Sequence, residues 1–274
     1  MYALQCGRFT LPLDRPLIMG VVNVTPDSFS DGGRYDSVAK AVSHAEHLIA
    51  DGADLLDIGG ESTRPGAALV SEDEEVGRVV PVLAALQSLN VPLSVDTRRP
   101  AVMRAALEVG IDLINDVSAL EGEGALAMVA KSAAAVCLMH KQGEPQTMQR
   151  TPAYADVVGE VVAYLAARRD AALAAGINRE RLLLDPGFGF GKTLEHNAAL
   201  FHALPDLIEQ WQCAVLVGVS RKTMLGQITG RQVDERMPAS IAAALMAAAA
   251  GAHIVRVHDV RETKDALAVW SALK

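Results

Sequence analysis

The sequence is poor in cysteine, in aromatic residues and in positive charge. Its three cysteines, Cys6, Cys137 and Cys213, are scattered through 274 residues and none sits in a CxxC pair. That excludes a disulfide framework and a cysteine-built zinc site. Two of them lie in apolar runs, Val136-Cys137-Leu138 and Cys213-Ala214-Val215-Leu216, so all three are expected to be reduced thiols. Basic residues number 25 against 33 acidic ones, a formal net charge of −8. Nucleic-acid binding by charge alone is therefore excluded. Any anion must be held by a local cluster against the overall field. Neither HExxH nor a strand-end HxH pair occurs among the seven histidines, which argues against a catalytic zinc. His44 and His47 are expected to be solvated. No uncharged run reaches the length of a membrane span, and the longest apolar stretch, 241–250, is mostly alanine. No basic-then-apolar segment opens the sequence, so a cytoplasmic protein without a membrane partner is expected.

What is present builds a core. Hydrophobic residues make up 50% and charged residues 21%, a balance that excludes disorder as the main state. Eight short apolar runs recur, at 17–24, 55–59, 93–96, 113–117, 135–139, 182–185, 215–219 and 254–258. Each is too short for a helix and apolar on both faces, as in a parallel strand covered on both sides. Helical spacing fills the intervals: Val38, Val42, Ala45 and Ile49 share a face, as do Val76, Val80 and Leu83. Ser71 with Glu74 has the pattern of a capping box, and the charge run 72–75 is expected to be a solvated helix start. Pro100 and Pro238 suit a first turn, and Gly52, Gly110, Gly176 and Gly251 suit helix stops. Eight strand–helix alternations without a linker predict an α/β fold, a (β/α)8 TIM barrel in a single domain over residues 1–274. An open doubly wound sheet is the competitor. The long connections 25–36, 62–69, 141–153 and 220–237 are expected to be irregular, and functional or mobile.

The strand ends carry the chemistry. In order they are Asn23, Asp57, Asp96, Asn115 with Asp116, His140, Asp185, Ser220 with Arg221 and Lys222, and Arg256 with His258. In a barrel such ends converge at one mouth, where each polar group must be paired or bind a ligand. Asp96, Asn115, Asp185 and Lys222 suit a flat heterocycle with adjacent donors and acceptors, such as an aminopyrimidinone edge. Asn23, Arg64, Arg256 and His258 suit phosphate oxygens, with Asn23 a donor for Mg2+ beside them. On composition alone Arg64 reads as a surface arginine before an anion hook, and the loop that begins at Asn23 as a plain surface loop before a lid. The glycine-rich stretch from Asp185 to Thr193 is no P-loop, because Pro186 holds the leading glycine position. It is no dinucleotide fingerprint either, because Lys192 replaces the third glycine. It is either a turn needing positive φ or backbone that approaches a flat ligand beside Phe188 and Phe190.

Two longer motifs then identify a family. Asn23-Val24-Thr25-Pro26-Asp27-Ser28-Phe29-Ser30-Asp31-Gly32-Gly33 and Asp57-Ile58-Gly59-Gly60-Glu61-Ser62-Thr63-Arg64-Pro65-Gly66 resemble the two signatures of the dihydropteroate synthases. Ser94-Val95-Asp96-Thr97, Ile114-Asn115-Asp116, Leu138-Met139-His140, Asp185 to Lys192, Ser220-Arg221-Lys222 and Arg256-Val257-His258-Asp259-Val260 follow in the family's order. The resemblance covers essentially the whole chain; Thr223, where many members have serine, is a small departure. It implies condensation of 6-hydroxymethyl-7,8-dihydropterin diphosphate with 4-aminobenzoate to 7,8-dihydropteroate and diphosphate, a step of folate synthesis inhibited by sulfonamides. It further implies that Asp96, Asn115, Met139, Asp185 and Lys222 hold the pterin. Asn23, Arg64, Arg256 and His258 would hold the diphosphate, and Asn23 would ligate Mg2+. Thr63, Pro65, Phe190, Ser220 and Lys222 would line the 4-aminobenzoate site, and Asp96, Asp185, Lys222, Arg256 and His258 would carry the chemistry. A dissociative path through a pterin cation is expected, with pterin binding first, and the family is usually homodimeric. Methyl transfer from a reduced folate is the rival enzyme reading, but gives no reason for the Asn23 loop, Arg64 and the Arg256–His258 pair together. A pterin-binding paralogue without turnover and a metal-dependent hydrolase are the other two.

Overall fold

A computed structural model describes residues 3–24, 34–61, 70–144 and 147–273. Eight parallel strands close into a barrel: β3 (Leu17–Asn23), β4 (Leu55–Gly59), β5 (Leu93–Asp96), β6 (Leu113–Asp116), β7 (Ala135–Met139), β8 (Leu182–Asp185), β9 (Ala214–Val217) and β10 (Ile254–Val257). Each pairs with the next, and β10 closes on β3 with Ile254 opposite Leu17. The expected barrel is thus the observed one, and the open sheet is excluded by this seam.

Around the barrel run α1 (Arg34–Ala50), α2 (Glu72–Leu86), α3 (Pro100–Val109), α4 (Ala125–Ala130), α5 (Val157–Ala174), α6 (Leu194–His202), α7 (Leu204–Trp211), α8 (Thr223–Thr229), α9 (Met237–Ala249) and α10 (Val260–Leu273). Pro100 and Pro238 stand in first turns. Gly52, Gly110, Gly176 and Gly251 follow their helices at φ of +102, +91, +92 and +103°, a region that suits a residue without Cβ.

Strand periodicity sorts the side chains into two layers. Ile18, Leu56, Ile58, Val95, Ile114 and Leu184 face outward into the main core with the helices. Leu17, Met19, Leu55, Leu113, Cys137, Leu183, Leu216 and Ile254 fill the barrel's lower interior. Burial of each such large side chain contributes about 1.5–3 kcal/mol. Because successive side chains alternate, the inward phase continues upward through Asp57, Asn115, Met139, Asp185 and Arg256. The pleat that fills the floor with leucine therefore lines the C-terminal mouth with polar groups.

Four features depart from expectation. An antiparallel hairpin, β1 (Ala3–Cys6) and β2 (Phe9–Pro12), precedes the barrel, and Leu4 and Cys6 join its floor cluster. Arg8 fastens it, donating from Nε and the backbone to Asp112 Oδ1, each at 3.0 Å. The connection 220–237, expected to be irregular, contains α8. The Ser71 cap is single-armed: Ser71 Oγ accepts from Glu74 N at 3.2 Å, while the Glu74 carboxylate pairs with Arg78. The run 72–75 is solvated only as far as Glu74, because Glu75 is 1% exposed and lies 3.3 Å from Arg99 Nε. The three thiols are free and buried, as expected.

Candidate active site

Arg256, on β10, organises the mouth. Its Nε donates to Asp57 Oδ2 at 2.6 Å and its NH2 group to Asp96 Oδ2 at 2.8 Å. Asp57 is fully buried and accepts two further hydrogen bonds: Ser94 Oγ donates to Oδ1 at 2.5 Å, and Asn115 Nδ2 to Oδ2 at 3.0 Å, beside the Arg256 bond. Burial works against the Arg256 charge, but Asp57 and Asp96 outweigh it and raise its pKa. Burial also pushes Asp96 up, with Arg256 opposing and Asp57 adding to the rise. Such a network holds its members in one arrangement because each unpaired group would be costly.

Opposite stands the β8–β9 side. Asp185 Oδ1 accepts from Gly187 N at 2.7 Å, and burial raises this acid against the pull of Lys222. Lys222 Nζ donates to Phe188 O at 2.6 Å and lies 4.6 Å from the centre of the Phe190 ring. Burial lowers the Lys222 pKa to about 8, with Asp185 pulling the other way. Met139, Val117, Met148 and Phe190 form a separate small apolar cluster, a greasy wall next to these charges.

The two sides share one opening. A Cβ placed on Gly218 would meet Arg256 Cβ at 3.7 Å and Lys222 Nζ at 3.9 Å. One on Gly59 would lie 3.6 Å from Asp96 Cβ and 3.9 Å from Asn23 Oδ1. Asn23 and Asp96 are both register partners of Gly59, so the missing side chain leaves a gap between amide and acid. Ser220 Oγ lies 3.0 Å from His258 Nδ1 and accepts from His258 N at 3.3 Å. The hydroxyl can donate to Nδ1 or accept from it, and either way it orients the imidazole ring at the mouth.

Asn23, Asp96, Asn115, Met139, Asp185, Phe190, Ser220, Lys222, Arg256 and His258 are thus all at the C-terminal end of the barrel. Thr63, Arg64 and Pro65, with most of the loop that follows Asn23, lie outside the described residues. One feature of the expected layout differs. Acids and cations do not occupy separate halves, since Arg256 is bonded into the acid side. Asp116 and His140 do other work: Asp116 accepts from Ser118 N and Leu120 N at 2.7 Å each, and His140 pairs with Lys192. Asp57 was visible as a carboxylate in an otherwise apolar strand, yet nothing local revealed that Arg256 and Asn115 would converge on it.

The glycine stretch now resolves. Gly187, Gly189 and Gly191 have φ of +70, +79 and +63°. A Cβ on Gly187 would overlap the His140 carbonyl, and one on Gly191 the Gln142 carbonyl. Positive φ and close backbone approach therefore apply together, the approach being to the protein's own chain.

A barrel whose mouth joins buried acids, an amide, two lysine- and arginine-borne cations and an apolar wall is built for a polar heterocycle. The model of the pterin binding enzyme family matches residues 19–258. Dihydropteroate synthase of Neisseria meningitidis serogroup B is 56% identical, over 98% of this chain and 96% of that one. The structure of Burkholderia cenocepacia dihydropteroate synthase complexed with 7,8-dihydropteroate superposes with a TM-score of 0.90 at 51% identity, covering 99% of this chain and 96% of that one. That of the Yersinia pestis dihydropteroate synthase with a sulfonamide drug complex gives 0.93 at 48% identity, covering 99% and 98%. The chain belongs to the dihydropteroate synthases of the pterin binding enzyme family.

Proposed function

We infer that this barrel catalyses the dihydropteroate synthase reaction, joining 6-hydroxymethyl-7,8-dihydropterin diphosphate to 4-aminobenzoate with release of diphosphate. The observation that carries the reading is the Asp57–Arg256–Asp96 network facing Asp185 and Lys222 across one mouth. Asp96, Asn115, Asp185 and Lys222 offer the acceptors and donors that an aminopyrimidinone edge needs, and Met139 supplies apolar contact to the ring. His258 and Arg256 bind the diphosphate, the guanidinium keeping N–H donors beyond those given to Asp57 and Asp96. Phe190, Ser220 and Lys222, with Thr63 and Pro65, line the 4-aminobenzoate site, and Arg64 joins the diphosphate contacts.

The reacting carbon is the exocyclic methylene of the pterin. Its C–O bond breaks as the diphosphate takes the electron pair, and the aryl amine then attacks and gives up a proton to the released diphosphate. Buried carboxylates beside the ring stabilise the positive charge that this leaves on the pterin. An aryl amine is neutral and nucleophilic, so His258 is needed as an anion donor rather than as a base.

Asn23 would be the protein's ligand for Mg2+. Among the described residues no group of three or more His, Cys, Asp or Glu forms a metal cage. A lone strand-end amide oxygen fits an ion that arrives with the diphosphate and keeps most of its waters. The ion would neutralise charge on the leaving diphosphate. We read the enzyme as cytoplasmic; no helix among the described residues is long and apolar enough to cross a membrane. We also read the protein as a homodimer, supported by the exposed apolar side chains Met246 on α9 and Val269 and Leu273 on α10. Sulfonamides would compete with 4-aminobenzoate. Mixing the protein with the pterin diphosphate, 4-aminobenzoate and Mg2+ should release diphosphate and form dihydropteroate. Diphosphate release without dihydropteroate, or no turnover, would overturn the reading.

A further inference from the structure

The turn that follows Asp185 spends its carbonyls in an unusual way. Phe188 O accepts from Lys222, Gly189 O from Gln149, and Gly191 O from Tyr154 Oη at 2.9 Å. The other two carbonyls converge on one side chain. Lys192 Nζ donates to Gly187 O at 2.9 Å and Phe190 O at 3.2 Å, and it lies 2.9 Å from His140 Nδ1 and 3.4 Å from His140 O. Lys192 is 3% exposed. Burial lowers His140 to about 3, with Lys192 adding to the fall, so its ring is neutral and Nδ1 accepts. Burial lowers the Lys192 pKa to about 7, with Asp185 pulling the other way. Among the described residues four acceptors surround the amine, an arrangement that its protonated form satisfies. It is a cross-link between the end of β7 and the turn that carries Phe190.

We propose that Lys192 is a positioning residue for the 4-aminobenzoate site. By tying Phe190 O and Gly187 O to the end of β7, it fixes the Phe190 ring between Lys222 and the Met139–Met148 wall. The inference rests on the reaction assigned above. The two ends of the turn are unequally secured. Gly187 O also accepts from Phe190 N at 3.1 Å, and Gly187 N is held by Asp185, whereas Lys192 is the partner of Phe190 O among the described residues. Loss of the ammonium therefore disturbs Phe190 before it disturbs Asp185, and 4-aminobenzoate before pterin.

Lys192→Met keeps the length and removes the donors; Lys192→Gln keeps an N–H and should fall between it and the wild type. The expected result for Lys192→Met is a KM for 4-aminobenzoate raised about tenfold, the usual scale for orphaning a buried acceptor, with the KM for the pterin diphosphate changed far less. Amide hydrogen exchange should quicken at Phe190 and Gly191 while the β7 and β8 amides keep their protection. Unchanged KM for 4-aminobenzoate in the folded variant, or equal losses for both substrates, would overturn the proposal. Failure of the wild type to make dihydropteroate would sink the assigned reaction instead. The exchange measurement, which needs no turnover, would then still support the positioning role if Phe190 and Gly191 loosen alone, and refute it if they do not. Should Lys192→Met not fold, the same readings on Lys192→Gln apply, with a smaller shift in the same direction.

Discussion

A single carboxylate, Asp57, holds together residues from three other strands. It takes Ser94 from β5, Asn115 from β6 and Arg256 from β10 while being wholly buried. Asp57→Asn keeps the shape but removes the charge that balances the guanidinium, and breaking one partner of a buried ion pair typically costs about 3–5 kcal/mol. Arg256 keeps Asp96, so the lower end of that range should apply to stability in urea. Turnover should fall by roughly a hundredfold, because Arg256 loses one of the two charges that hold it and the NH2 of the new amide faces the Ser94 hydroxyl. A variant with wild-type kcat/KM would show that Asp57 only fills space. Lys222 gives the pH dependence at this scale. Its pKa is lowered to about 8, so the ammonium is intact below that value and lost as pH rises through it. If the charged form binds, kcat/KM must decline on the alkaline side with an apparent pKa near 8. Burial raises Asp96 and Asp185, so their charged forms are lost earlier than usual as pH falls, giving an acid limb. Lys222→Arg stays charged throughout and should abolish the alkaline limb alone, whatever it does to the maximal rate. An unaltered alkaline limb in that variant would assign it to another group.

Among the elements, the strands were legible and the hairpin was not, for a physical reason. Barrel strands are covered on both faces, and β4, β6, β7, β8 and β9 are buried at every position. That coverage writes itself into the sequence as continuous apolar runs. The hairpin buries only Leu4 and Cys6 while Gln5 and Thr10 stay exposed, and four residues of weak alternation give no comparable signal. In α8, seven residues between two stretches of polar chain likewise fell below the length at which helical spacing is readable. The hairpin's position makes a clean separation of stability from activity possible. Leu4 is 1% exposed and packs with Leu17, Met19 and Leu55 on the floor, the end of the barrel away from the mouth. Leu4→Ala should cost about 2–4 kcal/mol in denaturant unfolding through the cavity it leaves. Both KM values should stay at the wild-type level at 25 °C; a change in either would mean that the floor and the mouth are coupled.

On the scale of the whole molecule, the strand-end series announced the site because alternation in a closed barrel forces alternate side chains inward. Its internal pairing stayed hidden because partner choice across strands is a tertiary matter. Asp57 and Arg256 are separated by 199 positions and meet only because β10 closes beside β3 and β4. At the outer surface, the described residues include exposed apolar side chains on the last two helices. Met246 and Val269 are each 59% exposed and Leu273 is 82% exposed, and α9 supplies little but alanine beside them. Apolar area left in water on one face of a barrel is stabilised by a copy of the same face, because a twofold contact lets one patch cover itself. The net charge of −8 opposes such association. In the proposed dimer these side chains would supply the favourable term, and added salt should strengthen a contact held by apolar burial while screening the repulsion. Sedimentation equilibrium should give a mass near twice 28.9 kDa, with the dimer persisting at high salt. Val269→Asp with Leu273→Asp places charge among these side chains and should yield a folded monomer that retains the barrel's circular dichroism. A wild-type monomer, or a dimer that survives both aspartates, would remove this face from the assembly.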